Sequence, residues 1–292
     1  MATSGQSLSG NGHIGAPRRD IPQDRVDRPL AAFARDYAEG EEVPRHSHNR
    51  AQLLYATAGI MRVTTDAARF TVPPARALWL PAKLPHAVAM PKGLAMRALF
   101  LREDAAERAG QAHPAVLSVT PLLRELILAA CAEPLEWDEK GRGGHLAALI
   151  LEEIARAPAL PLVVPQPRDA RLRRLAAALA ADPASPLTLE DWAEATGASP
   201  RTLRRLFLAE TGMGFARWRQ GLRLAEAAAL LADGATPARA AAAVGYASAP
   251  AFGAAFRAAF GTTPGRAGDG SRHGPGPAPP GGGSRRVPSR SR

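Results

Sequence analysis

The chain of 292 residues contains a single cysteine, Cys131. One thiol excludes an intramolecular disulfide framework and any cysteine-based zinc finger. Within the amphipathic run PLLRELILAACAE it reads as a buried, inert packing residue. Lysine is nearly as scarce, with Lys83, Lys92 and Lys140 the only three among 37 basic residues, and aromatic residues make up 5%. No stretch approaches the roughly 18 apolar residues of a membrane span. The opening MATSGQSLSGNGHIGAPRRD lacks the apolar core of a signal peptide. No membrane partner and a cytoplasmic location are therefore expected. GRGGH at 141–145 has glycines but neither a preceding strand nor a GK[ST] ending, and no nucleophile-elbow motif occurs. Phosphate-loop and serine-hydrolase chemistry find no support.

The hydrophobic content of 46% is ample for packed cores, and the net charge of +10 is unevenly placed. Residues 1–40 are neutral and 41–167 carry +1, whereas 168–266 carry +5 and 267–292 carry +4. Positive charge concentrated toward the C-terminus favours a polyanion, with double-stranded DNA the expected partner. Composition divides the chain further. Residues 1–28 read as a disordered leader. Residues 29–105 hold short β-type runs (AQLLYAT, IMRVTT, RFTV, RALWL, AMRALFL) separated by turn residues, as in a barrel or sandwich. Residues 106–156 contain two amphipathic helices suited to packing or dimerisation, with Leu122, Leu123, Leu126 and Ile127 expected on one face. Four prolines stiffen a linker at 157–167, and 267–292 reads as a disordered basic tail.

Residues 168–266 contain one pattern twice. Thr188, Ala193 and Gly197 recur as Thr236, Ala241 and Gly245, and Ser199, Leu203, Phe207 and Gly212 recur as Ser248, Phe252, Phe256 and Gly261. Each copy reads as helix, glycine turn, helix, which is the helix-turn-helix outline, and Phe215 to Ala232 bridges the copies. On a wheel of about 100° per residue, Leu203, Leu206 and Phe207 form the buried side of the first copy's second helix. Arg201 and Arg205 lie opposite, with Arg204 on the flank, where arginine can bond bidentately to guanine. Ser199, preceding Pro200, is the expected N-cap, and the helix N-terminus it starts is suited to meet a phosphate. The second copy offers Pro250, Ala254 and Arg257 with Gly253, which can read little through polar contacts. DNA contact is accordingly assigned to Ser199, Arg201, Thr202, Arg204, Arg205, Ser248 and Arg257, with specificity carried mainly by the first copy.

These residues resemble the C-terminal signature of AraC/XylS-type transcription regulators through Gly245, Tyr246, Ser248, Phe252, Phe256, Gly261 and Pro264. The resemblance implies two helix-turn-helix subdomains reading adjacent major-groove segments. Ala249, Pro250 and Ala251 replace the family's usual polar residues, and Gly265-Arg266-Ala267 replaces the common x-x-Tyr-Arg ending. The N-terminal region resembles the cupin sensor that such regulators often carry: Gly40, His46, His48, Gln52 and Gly59 have the spacing of the first cupin motif, with Gln52 where enzymes usually have Glu. The second motif survives as Pro81 and His86, while Ala75, Lys83 and Met90 stand where Gly, Gly and Asn are usual. PPARALWLPAKLPHAV resembles a subgroup associated with control of neighbouring export genes.

The expected fold is therefore α+β, a cupin-like β-barrel followed by an all-α domain of two helix-turn-helix subdomains joined by a helix. The expected function is sequence-specific transcription regulation, without enzymatic activity, by a homodimer able to contact RNA polymerase. A small-molecule effector would bind a pocket of His46, His48, Gln52, Tyr55, Trp79 and His86. No cofactor is required, although His46, His48 and His86 can hold a divalent metal. The competing readings are a cupin-type metalloenzyme fused to a DNA-binding domain, and a nonspecific nucleic-acid packager.

Overall fold

The computed structural model describes residues 21–160 and 163–269. The leader and tail expectations for 1–20 and 270–292, and the linker positions 161–162, lie outside the described residues. The chain enters through a helical turn, α1 (Pro22–Arg25), and then alternates strands: β1 (Leu30–Tyr37), β2 (Glu42–His46), β3 (Ala51–Ala58), β4 (Met61–Thr65), β5 (Ala68–Val72), β6 (Arg76–Leu80), β7 (His86–Ala89) and β8 (Leu94–Leu101). Helix α2 (Glu103–Arg108), strand β9 (Ala115–Ser118) and helices α3 (Pro121–Ala132) and α4 (Arg142–Arg156) follow. Two short strands, β10 (Ala159–Leu160) and β11 (Val163–Pro165), lead to the C-terminal helices.

The strands form two antiparallel sheets, ordered β1-β8-β3-β6-β9-β10 and β11-β5-β4-β7-β2. The barrel expectation thus takes the form of two sheets sharing a core, without a continuous ring of backbone hydrogen bonds. Side chains alternate across each strand. In β4 and β5, Met61, Val63, Phe70 and Val72 are buried while Arg62 and Arg69 are exposed. The six-stranded sheet is covered on both sides. One face gives Leu54, Leu78 and Phe100 to the core between the sheets, and the other gives Leu53, Tyr55, Trp79 and Leu99 to a second core under α2, α3 and α4. In that second core Leu123, Leu126 and Ile127 are buried, but Leu122 points outward at 52% exposure, which corrects its expected place. Cys131 is half-buried in the same layer, and burial pushes its thiol up to about 11.

Two expected boundaries shift. Residues 21–28 are packed: Val26 is buried, Ile21 lies against the core, and the Arg50 guanidinium donates to the carbonyls of Val26 and Arg28. The stretch expected as a linker at 157–167 instead adds β10 to β9 and β11 to β5, so it stitches onto both sheets. Proline holds a chain extended, and the valines of β11 give that chain a sheet edge to join. Ala75 and Lys83, the residues standing where the cupin pattern has glycine, adopt left-handed φ values of 60° and 63°.

The C-terminal region begins with α5 (Ala170–Ala181), then α6 (Leu189–Thr196) and α7 (Pro200–Thr211). The long α8 (Phe215–Ala232) connects these to α9 (Pro237–Ala243), α10 (Ala249–Phe260) and α11 (Pro264–Asp269). The repeated threonines, serines and glycines are the punctuation of these helices. Thr188 and Asp191 form a capping box on α6, and the side chains of Ser199, Thr236 and Ser248 cap α7, α9 and α10. Gly197, Gly212, Gly245 and Gly261 turn the chain at φ values of 65° to 75°. Such caps are worth about 0.5–2 kcal/mol each. Two copies of the same stops and starts explain how helices so rich in alanine and arginine end where they do.

Candidate functional site

The first candidate surface is the outer face of α7. Leu203 and Phe207 are fully buried against α5, α6 and Trp218 of α8, whereas Arg201, Arg204 and Arg205 are exposed. Arg204 pairs with Glu190 of α6, and Arg201 and Arg205 have no ion pair among the described residues. The hydroxyl of Ser199 accepts from the amide of Thr202 at 3.1 Å and lies 2.9 Å from the Thr202 hydroxyl, so both are tied up in the cap at the start of α7. On α10, Phe252, Phe256 and Phe260 are buried and Arg257 is exposed, among Pro250, Ala254 and Ala258. Ser248 caps this helix through the amide of Ala251 at 3.3 Å.

Two arginines of α8 do something composition did not suggest. Arg223 donates from Nε to the Pro183 carbonyl at 2.8 Å and from Nη2 to that of Ser185 at 3.3 Å, and Arg219 donates to the Leu187 carbonyl at 2.9 Å. They clamp the 183–187 loop onto the bridging helix. That loop also meets the second unit: a Cβ on Gly245 would stand 2.9 Å from the Ala184 Cα and from Arg223 Nη2. Both are positive charges on the sequence that serve packing rather than display.

The second candidate site lies between the sheets, in a cavity of about 50 Å³ lined by His46, His48, Gln52 and His86 together with apolar side chains. His46 ends β2 beside a bulge and is paired across the sheet with His86 at the start of β7, while His48 follows in the turn before β3. The ring centroids of His46 lie 4.9 Å from those of His48 and 4.4 Å from those of His86. Each Nδ1 has an oxygen partner: Pro44 O for His46 at 2.7 Å, Leu84 O for His86 at 2.9 Å, and Asp24 Oδ2 for His48 at 2.8 Å. Burial drives His86 down to about 4, so its ring is neutral at neutral pH. One ligand atom from each of the three imidazoles fits within a span of 4.8 Å.

Four of the six residues expected in the pocket are there, and two are not. Tyr55 and Trp79 are buried on the opposite face of the six-stranded sheet, in the core under α2 to α4. Gln52 and Tyr55 are three residues apart on one strand, an odd separation, so they face opposite sides. Asp24 is the residue that sequence reasoning missed. Its side chain is 6% exposed and Oδ1 is buried without a hydrogen-bond partner. Nothing local marks it, because its partner His48 is 24 residues away.

The two sheets and the bridging helix are joined. Helix α8 packs against β5 and β11, and Trp218 Nε1 donates to the Pro165 carbonyl at 2.7 Å. Arg62 on the outer face of β4 pairs with Glu226 at 2.6 Å, and Lys92 pairs with Asp233 at 2.8 Å. A crevice of about 480 Å³ remains between this sheet and α8.

A family model described as an AraC-like ligand binding domain matches residues 31–191, and one described as a helix-turn-helix domain matches 192–268. The HTH-type transcriptional regulator NimR of Escherichia coli strain K12 is 30% identical over 223 residues, covering 76% of this chain and 81% of its own. The HTH-type transcriptional regulator RipA of Corynebacterium glutamicum is 42% identical over 109 residues, 37% of this chain and 32% of its own. Among solved structures, ToxT from Vibrio cholerae aligns at 8% identity and a TM-score of 0.36, covering 83% of this chain and 99% of that one. No described helix is long and apolar enough to cross a membrane.

Proposed function

This chain belongs to the AraC-type family of transcription regulators, with an N-terminal ligand-binding domain and a C-terminal helix-turn-helix DNA-binding domain, and from that premise we propose how its parts divide the work. Base reading belongs to α7, through Arg201 and Arg205. The observation that carries this is their exposure without an acidic partner, on a helix whose opposite side is locked into a core. Arginine in that setting can donate to guanine O6 and N7 in a major groove. Arg204 and Arg217 rim a groove between α7 and the start of α8, a place for the phosphate backbone on leaving the first unit. Helix α10 enters as a positioning element, with Arg257 aimed at phosphate and Ser248 holding its first turn.

The sensor is the pocket of His46, His48, Gln52 and His86. Its floor includes Val88 of β7, and β7 pairs with β4, whose outward Arg62 holds α8. A ligand that spreads or tightens the inner face therefore acts, one sheet thickness away, on the bridging helix between the reading units. That is a coupling between two sites with a stated physical route. Self-association is assigned to α3 and α4, where Leu122 and Leu149 are 52% and 50% exposed, and contact with RNA polymerase belongs to the same reading. The test is selection of bound DNA from a random pool, repeated with Arg201→Ala and Arg205→Ala. Each substitution is expected to cost about 1–3 kcal/mol and to relax the preference for one guanine. Unchanged base preference in both variants would remove α7 as the reader.

A further inference from the structure

We infer that Arg223 is the residue that fixes the register of the two reading units on DNA, through a latch on α8 that it forms with Arg219 and Gln220. The latch joins the 183–187 loop of the first unit to the turn at Gly245 and Tyr246 of the second. It thereby holds the base edge read by α7 and the phosphate held by α10 at one separation. That last step rests on the assignment of α7 and α10 to DNA; the geometry of the latch stands without it.

Packing on the bridging helix alone leaves the register loose. The 18 residues of α8 span about 27 Å. The helix gives Trp218, Leu222 and Ala225 to the first core and Leu224, Ala228 and Leu231 to the second. Apolar burial is non-directional, so it fixes which faces meet more firmly than the angle at which they meet. A guanidinium is directional, because its donors form a rigid fork. Arg223 spends that fork on consecutive carbonyls: Nε donates to Pro183 at 2.8 Å, and Nη2 donates to Ala184 at 3.5 Å and to Ser185 at 3.3 Å. Arg219, one turn earlier, donates to the Leu187 carbonyl at 2.9 Å. The loop they hold is itself braced, with the Ala184 amide on the Asp182 carboxylate at 3.1 Å and the Ser185 amide on the Asp182 carbonyl at 3.2 Å.

The second unit closes on the same atoms. Gly245 turns the chain at φ 75°, and a Cβ there would stand 2.9 Å from both the Ala184 Cα and Arg223 Nη2. Loop, latch and turn therefore meet with no room for a methyl group. Tyr246, the next residue, hydrogen-bonds through its hydroxyl to Gln220, and its ring lies 5.3 Å from that of buried Phe252 in α10, edge to face. Arg219, Gln220 and Arg223 thus grip both units from one face of α8. They also line the groove whose rim carries Arg204 and Arg217, so the latch lies beneath the phosphates assigned to that groove. One base pair of slip along B-DNA moves the next contact by roughly 3.4 Å and turns it by roughly 35°. A junction packed this closely does not absorb that rotation.

The experiment measures the junction first without DNA. In the full chain carrying Cys131→Ala, spin labels at Leu208→Cys on α7 and Ala254→Cys on α10 report the distance between the reading helices by pulsed electron resonance. The expected result is one narrow distribution, about two-fold broader in Arg223→Ala as the turns at the ends of α8 become hinges. Tyr246→Phe, which removes one hydroxyl, should broaden it less and reads the same junction if Arg223→Ala fails to fold. Arg223→Lys, one ammonium in place of a fork, should recover only part of the narrowing. On DNA selected by the unlabelled protein, phosphate-ethylation interference should give one sharp group of phosphates at a fixed distance from the guanine. Arg223→Ala should keep the guanine, spread the phosphates over neighbouring positions and weaken binding about three- to ten-fold, because the loosened units must be ordered on binding. A broad distribution in the parent, or equal widths in the parent and in both variants, overturns the latch. A phosphate pattern as sharp in Arg223→Ala as in the wild type overturns its role in register. Absence of guanine interference in the wild type is failure of the α7 reading alone, and the distance result is unaffected by it.

Discussion

The two helix-turn-helix units share their punctuation and differ in nearly everything else. The first has a core of its own: Leu172, Leu175, Leu179, Leu203, Phe207 and Trp218 are buried together, and Val164 of β11 is the one buried residue in that cluster from outside the helices. The second has no separate core. Leu224, Ala228, Leu231, Phe252, Phe256 and Phe260 belong to the same continuous cluster as the interior of the sheets. The first unit shows arginines to solvent on α7, and the second shows mostly alanine on α10. Duplication therefore kept the scaffold and changed its attachment. The first copy keeps a core of its own, linked to the sheet domain through Val164 and the hydrogen bond from Trp218 to Pro165, and the second is fastened to the sheets through a shared core.

The largest expected effect tests that fastening. Phe207 and Phe256 occupy matching positions and both are fully buried, so either change to alanine should cost about 3–5 kcal/mol. The consequences should differ in where they appear. Phe207→Ala should lower the melting of the first unit, reported by Trp192 and Trp218, and leave the sheet domain unchanged. Phe256→Ala should also lower the transition reported by Trp79 and Trp137, since the cavity opens beside the 73–76 turn. Calorimetry showing the sheet domain equally indifferent to both changes would break the comparison.

The turn glycines sharpen it next. Gly197 and Gly245 both need left-handed backbone, at φ 65° and 75°, but a Cβ on Gly197 meets nothing within 4 Å. Gly197→Ala should then cost about 1–2 kcal/mol, the penalty of that conformation alone. Gly245→Ala adds a collision with the Ala184 backbone, for a total of roughly 2–5 kcal/mol. Denaturant melts of the two variants would show equal losses if the contact between the 183–187 loop and the second unit were unimportant.

Reading comes third. Arg201→Ala and Arg205→Ala should weaken operator binding by about 1–3 kcal/mol, selectively for one base, while Arg257→Ala should weaken all sequences alike and reduce the salt slope by about 1. A larger and more selective loss from Arg257→Ala would reverse the assignment of the two helices.

How much of this was legible depended on the range of the interaction. The caps at Thr188, Ser199, Thr236 and Ser248 and the turn at each repeated glycine are local, and their spacing announced the helices before any packing was known. The buried faces followed from periodicity. The pocket was half legible: His46, His48, Gln52 and His86 converge, but Tyr55 and Trp79 were placed with them by chemical character, although strand alternation puts Tyr55 on the far side from Gln52. Leu122 failed for a related reason, since it stands in the first turn of α3 at the edge of the face that packs on α4, β1 and β8, and that edge is left to solvent. Asp24, the packing of 21–28 and the pairing of β10 and β11 onto two different sheets depend on distant partners. No pattern within the chain foretells them.

The smallest expected effect concerns the ion pair that ties the two regions. Arg62 and Glu226 meet at 2.6 Å with side chains 49% and 17% exposed, a setting in which a pair contributes about 0.2–1 kcal/mol to stability. Its importance lies in position rather than strength, because it joins the outer face of the sensor sheet to the bridging helix, next to a crevice that leaves room to move. A single reversal, Arg62→Glu or Glu226→Arg, places like charges together and should change operator affinity by about two- to five-fold with little change in melting temperature. Combining the two reversals restores opposite charges and should restore the affinity. The effect should fade as salt rises, since the pair is partly exposed. Lys92 and Asp233 make a second link along the same helix and limit how far one reversal can shift it. If the two reversals simply add in a double-mutant cycle, the pair is not the coupling element, and the signal between sensor and reading head runs through the apolar contact of α8 with β5 and β11 instead.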